Sequence, residues 1–342
     1  MSASPSSARV GLLRKAEVKV TFTAHIASAL LQSEHRIVLT GASGWLGRAT
    51  LDLLQEALGT GLSERVSCFG SRQAELRLSE TQTVMQRPLA DLGTLTQQPT
   101  LLLHFAFLTK DRAERMREAD YCAANRAIRQ VVLDALDLIG VEAGFVASSG
   151  AASYADDDAA APAMRLYGML KREDEDAFAS WAETRCRSMA VARIFNISGP
   201  HINKLPSYAL SSFILAALAG GPVVVHARHD VRRGYVAIRE LMSLVFALLL
   251  EQQIGVTRFE TGGQEIELGE LATMIASRMS CSIERASCRG GHADVYLGDD
   301  KSYQRLLDHY VIDRVPLAEQ ISETADFLRR ASAFGAPQDS YA

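Results

Sequence analysis

The sequence lacks the cysteine patterns that would indicate a metal site. Its five cysteines form neither a Cys-x-x-Cys pair nor a Cys/His spacing typical of zinc ligands, so we expect no bound metal. An odd, scattered set of thiols fits a reducing cytoplasm, where we expect the protein to reside. The acidic run 156–158 is interpreted as a solvated loop rather than a metal site.

Long hydrophobic runs and an excess of positive charge are missing as well. The strongly apolar run 241–250 is too short to cross a membrane, and the N-terminus has no apolar stretch after a basic start. Neither a membrane span nor a signal peptide is therefore indicated. The net charge of −4 gives no signature of nucleic-acid binding.

The chain does have the length and apolar content of a large globular fold. It has 342 residues, of which 48% are hydrophobic and 22% are charged. These values fit one large α/β domain, or a core domain with a smaller appended lobe.

A glycine-rich turn follows the first strongly apolar strand. The run 37–40 leads into Gly41, Gly44 and Gly47, and the apolar spacing from Leu46 to Leu54 predicts a helix. Glycines at such a turn let the backbone approach a pyrophosphate, whose charge is met by free N–H groups and the helix dipole. Taken alone, an ordinary strand-to-helix turn explains the pattern about equally well.

Strands and helices alternate beyond this turn. This rhythm predicts parallel βαβ units, and it loosens after Pro200. We predict an N-terminal extension (1–35), a doubly wound core (36–200) and a C-terminal region (201–342) that is mainly a substrate lobe interleaved with the core. The predicted strands are 65–70, 100–106, 143–149 and 188–195, and the predicted helices of the core are one that follows the glycine turn and runs to about Leu58, one at 112–139 and one at 167–184.

Tyr167 and Lys171 lie four residues apart on a predicted helix, so both side chains project from one face. A tyrosine is a poor acid–base catalyst near pH 7, and an adjacent ammonium would lower the pKa of its phenol. Tyr167 could then exchange a proton with a carbinol or carbonyl oxygen during hydride transfer. For an isolated pair, an ordinary surface contact is the better interpretation; the preceding dinucleotide-like pattern favours catalysis.

The ordered set of motifs resembles the extended short-chain dehydrogenase/reductase family, also described as the NAD-dependent epimerase/dehydratase family, in its sugar-nucleotide-modifying branch. The resemblance covers roughly residues 36–330 and implies an α/β fold with a Rossmann-type doubly wound parallel sheet and a smaller C-terminal substrate lobe. It also implies a homodimer formed through the helices at 112–139 and 167–184. The motifs that carry it are the glycine turn, 104–106, Asn125, 145–154, Tyr167 with Lys171, 193–200 and 233–236.

The resemblance implies roles for individual residues. Tyr167, Lys171 and Ser149 would be catalytic, and for Arg233 a solvated surface charge is an equally good interpretation. The substrate would contact Ser148, Ser149, Gly150, Asn196 and Arg233. The dinucleotide would contact Gly41, Ser43, Gly44, Trp45, Leu46, Gly47, Ser71, Arg72, Asp91, Leu92, Phe105, Ala106, Asn125, Tyr167, Lys171 and Ile194.

Residues after the second strand bear on the choice of cofactor. In this fold a carboxylate there binds the ribose 2′-hydroxyl of NAD, whereas an arginine accommodates the 2′-phosphate of NADP. The chain has Ser71 and Arg72 there and no carboxylate until Glu75. We therefore expect NADP(H) rather than NAD(H), unless Arg72 is merely an exposed surface charge.

The chain departs from the family pattern at the end of the strand 143–149. Relatives carry a catalytic Ser or Thr four residues before the tyrosine that matches Tyr154, and that position is Gly150 here. Because side chains alternate along a strand, Ser149 can replace the hydroxyl only if the strand end shifts. Otherwise the hydroxyl is missing, and Tyr167 with Lys171 works with a different donor; we favour Ser149. Dehydratases of the family carry an acidic pair directly after that hydroxyl, whereas this chain has Ala151 and Ala152, so dehydration is not expected.

The leading hypothesis is an NADP(H)-dependent oxidoreductase that reduces or oxidises a sugar carbonyl or carbinol, on a nucleotide-linked keto-sugar, with Tyr167 as acid or base. A second hypothesis is a nucleotide-sugar 4-epimerase that uses the same residues with tightly held cofactor. A third is a non-catalytic NADP-sensing regulator, against which the retained Tyr167 and Lys171 argue. A fourth is a reductase of non-sugar ketones.

Overall fold

The structure is a computed structural model that describes residues 20–79, 82–113, 115–203, 205, 208–287 and 290–333. The first nineteen residues of the predicted N-terminal extension lie outside the described residues. The remainder of that extension contains one helix, which packs on the core.

The described chain alternates strands and helices, and most boundaries agree with the sequence pattern. The strands are β1 (Arg36–Thr40), β2 (Val66–Gly70), β3 (Ala74–Arg77), β4 (Thr83–Pro88), β5 (Thr100–His104), β6 (Val141–Ser149), β7 (Ser188–Ile194), β8 (Asn196–Ser198), β9 (Val223–Val225), β10 (Val231–Ala237), β11 (Gly255–Glu260), β12 (Glu265–Glu267), β13 (Ile283–Arg285) and β14 (Asp294–Tyr296). The helices are α1 (Ala24–Gln32), α2 (Trp45–Leu58), α3 (Leu62–Arg65), α4 (Lys110–Ala113), α5 (Glu118–Leu136), α6 (Pro162–Thr184), α7 (Ala209–Leu218), α8 (Ile238–Glu251), α9 (Leu268–Met279), α10 (Asp300–His309) and α11 (Leu317–Ala333).

Eight strands form the central sheet in the order β11-β7-β6-β5-β1-β2-β4-β3. All neighbours pair in parallel except β3 and β4, which are antiparallel. From β1 the chain continues to β2 on one side and later to β5, β6 and β7 on the other, so β1 and β5 flank the switch point at which such sheets bind ligands beyond their carboxyl ends. The predicted α/β fold with a Rossmann-type sheet is confirmed.

Apolar side chains cover both faces of this sheet because nearly every residue of its inner strands is buried. One face packs against α1, α2 and α8, and the other against α5 and α6. Continuous burial on both faces explains why β1 and β5 read as unbroken apolar runs in the sequence.

A second unit is built mostly from the C-terminal region. Strand β10 pairs with β8, β12 and β14, while α7, α9 and α11 enclose a separate apolar cluster. The chain returns to the central sheet between these elements, since α8 packs on it and β11 pairs with β7. Trp45 contacts both apolar clusters and so joins the glycine turn to the second unit.

Within the described residues, none of the helices combines the length and the apolar character needed to cross a bilayer. In the same part of the chain, no group of three or more His, Cys, Asp or Glu side chains is placed to hold a metal ion.

Candidate active site

The glycine turn connects β1 to α2 at the carboxyl edge of the central sheet. Gly41 has a φ of +72°, and a Cβ at this position would lie 2.7 Å from the Ala106 nitrogen. A Cβ on Gly47 would lie 2.5 Å from the Gly41 carbonyl oxygen. Both positions therefore require glycine, and Phe105 and Ala106 stand directly against the turn.

The first turn of α2 is open to a ligand. Gly44 is the N-cap and provides no side chain to accept the N–H groups of Trp45, Leu46 and the next residues. These groups and the helix dipole favour an anion, so the backbone geometry fits the pyrophosphate of a dinucleotide. The Trp45 indole is directed elsewhere and donates to the Pro200 carbonyl at 2.9 Å.

The glycine turn 41–47, together with residues 105 and 106 beside it, is called the cradle below. The buried polar side chains of His104 and Thr40 lie next to it. His104 at the end of β5 places Nδ1 2.7 Å from the Thr40 hydroxyl, which also accepts the Ala106 N–H at 3.4 Å. Burial lowers the pKa of His104 to about 3, and the nearby Lys171 ammonium contributes to this lowering. The imidazole is therefore neutral, and through Thr40 it helps to fix Ala106 beside the glycine turn.

Gln86 is a residue of the cradle that the sequence motifs did not indicate. Its side chain is 1% exposed; Oε1 accepts the Ser43 N–H at 3.1 Å, and Nε2 donates to the Arg72 carbonyl at 3.0 Å. It thus joins the glycine turn to Ser71 and Arg72, both exposed. Among the described residues, no carboxylate pairs with the Arg72 guanidinium.

Three predicted cofactor contacts, at Asn125, Leu92 and Asp91, stay predictions, and the structure gives their surroundings. Asn125 is buried: Oδ1 accepts the Leu108 N–H at 2.8 Å, and Nδ2 donates to the Tyr121 carbonyl at 3.2 Å. Its amide therefore holds the loop after β5. Leu92 is fully buried in the apolar cluster on one face of the sheet, whereas Asp91 beside it is partly exposed.

Tyr167 and Lys171 project from one face of α6, as their spacing predicts. Lys171 is buried; its ammonium donates to the Ala147 carbonyl at 2.8 Å and lies 3.7 Å from the centre of the Phe107 ring. The same ring packs edge-on against Tyr167, with centroids 5.6 Å apart. Phe107 therefore fixes both side chains, and the sequence motifs did not indicate it.

The pKa of Tyr167 differs from the expectation. Burial raises the pKa of the phenol well above its ordinary value, and a hydrogen bond with Ser149 lowers it only in part. The predicted lowering by Lys171 is not the dominant effect, because desolvation penalises the phenolate more strongly. Tyr167 is thus a protonated group that can donate its proton.

The two serines at the end of β6 point in opposite directions. Ser149 lies beside the phenols of Tyr167 and Tyr296 and lowers the pKa of each, and its Oγ accepts the Ala151 N–H at 3.2 Å. Ser148 is buried on the other face, where its hydroxyl donates to Glu175. The predicted substrate contact of Ser148 needs correction, since strand alternation turns it away from Tyr167.

Gly150 begins a short turn that leaves no space for a side chain. A Cβ at this position would lie 2.6 Å from the Phe195 ring and 2.7 Å from the hydroxyl oxygen of Tyr296. Tyr296 comes from β14 in the second unit, and no sequence pattern singled it out. The position at which relatives carry a hydroxyl is therefore closed by residues from another part of the chain.

The remaining predicted substrate residues surround Tyr296. Asn196 lies at the start of β8, and its Nδ2 is 3.5 Å from the Tyr296 carbonyl oxygen, to which it donates. Arg233 lies opposite Tyr296 in the β10–β14 register, and its guanidinium is 2.8 Å from the Asp294 carboxylate. Arg233 is thus a paired rather than a solvated charge. Ile194 pairs with Ser149 in the sheet and is buried.

Comparison with known proteins identifies a family. A model of the NAD dependent epimerase/dehydratase family matches residues 37–260, which is more than half of the chain. The matched range contains the glycine turn, β6 and Tyr167, whereas Tyr296 lies beyond it. No curated protein matches the chain.

Several solved structures share the fold. MoeE5 in complex with UDP-glucuronic acid and NAD superposes with a TM-score of 0.65 and 21% identity, over 86% of this chain and 99% of that one. UDP-N-acetylglucosamine 4-epimerase from Methanobrevibacter ruminantium M1, in complex with UDP-N-acetylmuramic acid, superposes with a TM-score of 0.67 and 18% identity. The match covers 86% of this chain and 98% of that one. A dTDP-glucose 4,6-dehydratase from Streptomyces venezuelae, with NAD and TYD bound, superposes with a TM-score of 0.64 and 17% identity. The match covers 89% of this chain and 100% of that one. Identities this low show likeness of fold alone.

Proposed function

The chain belongs to the NAD dependent epimerase/dehydratase family, and from this premise we propose that it is an NAD(P)-dependent oxidoreductase of a nucleotide-linked sugar. The reaction would reduce a keto group of the sugar, or oxidise the corresponding carbinol. Solved structures of the same fold bind UDP-sugars together with NAD, which supports this substrate class.

One observation carries the proposal. Ser149 ends β6 at the same carboxyl edge of the sheet as the open first turn of α2, and Gly168, the neighbour of Tyr167, packs on Ala151 just beyond that strand end. A glycine cradle that excludes a Cβ at Gly41 and Gly47 fits a dinucleotide, and the hydroxyl pair lies where a substrate oxygen would be held beside it.

The residues of the site divide the work of carbonyl reduction. When bound, the reduced nicotinamide supplies the hydride that adds to the carbonyl carbon. Ser149 donates a hydrogen bond to the carbonyl oxygen, which receives the electron pair of the broken π bond. Tyr167 transfers its phenolic proton to that oxygen, and the Lys171 ammonium on the same helix face stabilises the phenolate left behind.

The proposal is tested by NADPH and NADH oxidation against a panel of 4-keto nucleotide sugars. Tyr167→Phe removes the proton donor, so we expect turnover to fall by about 100-fold to 10,000-fold. Tyr154→Phe is the matched control, because its phenol is partly exposed and its hydroxyl is directed to the Val295 carbonyl. Unchanged turnover in Tyr167→Phe would refute the catalytic assignment, and a protein that binds the dinucleotide without any turnover would be a cofactor-sensing regulator.

A nucleotide-sugar 4-epimerase is the second candidate, because the family includes epimerases and the same three side chains serve both reactions. Epimerisation removes a hydride and returns it to the other face, so the dinucleotide is not consumed. Dinucleotide retained through purification, together with interconversion of UDP-sugar epimers, would favour the epimerase. Stoichiometric NADPH consumption would favour the reductase.

We propose that dehydration is not the reaction, although the family and one solved structure of this fold include dehydratases. Gly150, Ala151 and Ala152 are all buried and offer no carboxyl group at the place where such enzymes carry an acidic pair. Mass spectrometry of the products tests this, since a product lighter by one water would contradict it.

The NADP(H) preference rests on Arg72, which is exposed beside the glycine turn. Solved structures of this fold are described with NAD, so the fold itself does not favour NADP. Titration of the protein with NADPH and NADH decides the preference. Dimerisation through α5 and α6 also stays a prediction, which sedimentation velocity would test.

A further inference from the structure

A hydroxyl expected in the core is missing, and another hydroxyl lies in its place. Gly150 carries no side chain, and a Cβ built on it would be 2.7 Å from the Tyr296 oxygen. A serine or threonine hydroxyl at position 150 would begin one bond beyond that Cβ. The Tyr296 oxygen therefore occupies the region in which the hydroxyl of such a residue would stand.

Several contacts hold the Tyr296 phenol at this point. Its ring packs against Phe195, with centroids 4.7 Å apart, and stacks on Tyr154 at 6.0 Å. Its backbone carbonyl accepts a hydrogen bond from Asn196, and β14 pairs in parallel with β10. Two aromatic neighbours therefore hold the ring of Tyr296, and the position of its hydroxyl oxygen is restricted with it.

The oxygen of Tyr296 lies against the same turn as the start of α6 that carries Tyr167. Gly150, on which a Cβ would meet the Tyr296 oxygen, directly follows Ser149 at the end of β6, and Gly168, the neighbour of Tyr167, packs on the Ala151 carbonyl. Ser149 also lowers the pKa of both phenols. Hydroxyl-bearing residues of β6, α6 and β14 are therefore neighbours around this turn, and Tyr296 itself is partly exposed.

Resting on the proposed function, we propose that Tyr296 is a fourth catalytic residue, whose hydroxyl binds the reacting oxygen of the sugar in place of the hydroxyl absent at Gly150. Ser149 and Tyr296 hold this oxygen from two sides, and Tyr167 exchanges the proton. Burial raises the pKa of Tyr296 to about 12, so its phenol keeps its proton and acts as a donor at neutral pH. A donor fixed before the reaction is favoured because no reorganisation is needed as charge develops on the oxygen.

The test compares Tyr296→Phe with Tyr154→Phe and Tyr167→Phe. Tyr296→Phe removes one oxygen and keeps the ring that packs on Phe195, so thermal unfolding should be unchanged. We expect kcat to fall by about 100-fold with KM altered less than about 3-fold, as for loss of a donor that acts in the transition state. Tyr154→Phe removes a neighbouring phenol oxygen outside the cluster and should leave kcat unchanged.

The outcomes separate this inference from the proposed function. Full kcat in Tyr296→Phe, with activity lost in Tyr167→Phe, overturns the role of Tyr296 and leaves the oxidoreductase intact. A rise in KM alone overturns it too, because Tyr296 would then only shape the sugar pocket. If the wild-type protein neither turns over nor binds, by calorimetry, any UDP-sugar of the panel, the proposed function and the role of Tyr296 both fail.

Discussion

Substitution of Gly168 tests how closely α6 must approach the turn after β6. A Cβ at this position would lie 2.1 Å from the Ala151 carbonyl oxygen and 2.8 Å from its carbon. Both atoms belong to the backbone, so the overlap can be relieved only if the helix or the turn moves. The residue before Gly168 is Tyr167, and Ala151 contacts Ser149, so the movement would separate the two hydroxyls.

Two opposing effects determine how much Gly168→Ala changes the free energy of unfolding. Overpacking at a filled site costs about 1–3 kcal/mol, and an overlap with backbone atoms belongs at the upper end. Alanine in a helix interior recovers about 1 kcal/mol relative to glycine. We expect a net loss of about 2 kcal/mol in the free energy of unfolding, and a roughly 100-fold fall in kcat, because a displacement near 1 Å misaligns reacting groups.

Urea unfolding and steady-state kinetics measure the two effects. Gly61→Ala is the control, because a Cβ there meets nothing within 4 Å. Its free energy of unfolding should stay within about 0.5 kcal/mol of the wild type. A Gly168→Ala protein that is as stable and as active as the wild type would show that α6 does not need this close approach.

Two further predictions concern a buried carboxyl group and the cofactor. Burial raises the pKa of Glu240 to about 7 from 4.5, so the folded protein binds the proton of this carboxyl group more tightly than the unfolded chain does. The stability that this proton contributes is complete below pH 4.5 and is lost as the pH rises through 7. Glu240→Gln keeps an acceptor for the Val315 N–H but cannot titrate. The difference in unfolding free energy between pH 5 and pH 8 should therefore be smaller by about 2–3 kcal/mol in this variant than in the wild type. The same pH dependence in both proteins would contradict the prediction. Arg72→Glu should weaken NADPH binding by about 10-fold to 100-fold without weakening NADH binding, in fluorescence titrations; tighter binding of NADH than of NADPH by the wild type would refute the preference.

Local patterns in the sequence predicted the core of the fold. Strands β1 and β5 have continuous apolar centres, and the predicted end of the helix at Thr184 agrees with α6, although α6 begins at Pro162, five residues before the predicted start. The Tyr167–Lys171 spacing likewise placed two side chains on one helix face. These features depend on neighbours close in sequence, which periodicity describes well.

Contacts between distant segments could not be predicted in this way. Gln86 reaches Ser43 across 43 residues, and the Tyr296 hydroxyl reaches Gly150 from a strand of only three residues. Asn125 shows the same limit, since a buried amide can serve a ligand or the chain itself, and only the tertiary structure places Leu108 within its reach.

The glycine at position 150 links the two units of the chain. A side chain there would collide with Phe195 and Tyr296, so position 150 cannot hold a serine or threonine while β14 keeps its present position. Conversely, the hydroxyl of Tyr296 and the ring of Phe195 fill space that is free only because position 150 is glycine. The two features therefore depend on each other: Gly150→Ser should displace Tyr296 rather than add a fourth hydroxyl. If Tyr296 binds the reacting oxygen as proposed, the second unit completes the site, and a core that ended at β7 would have the glycine turn without the full set of donors.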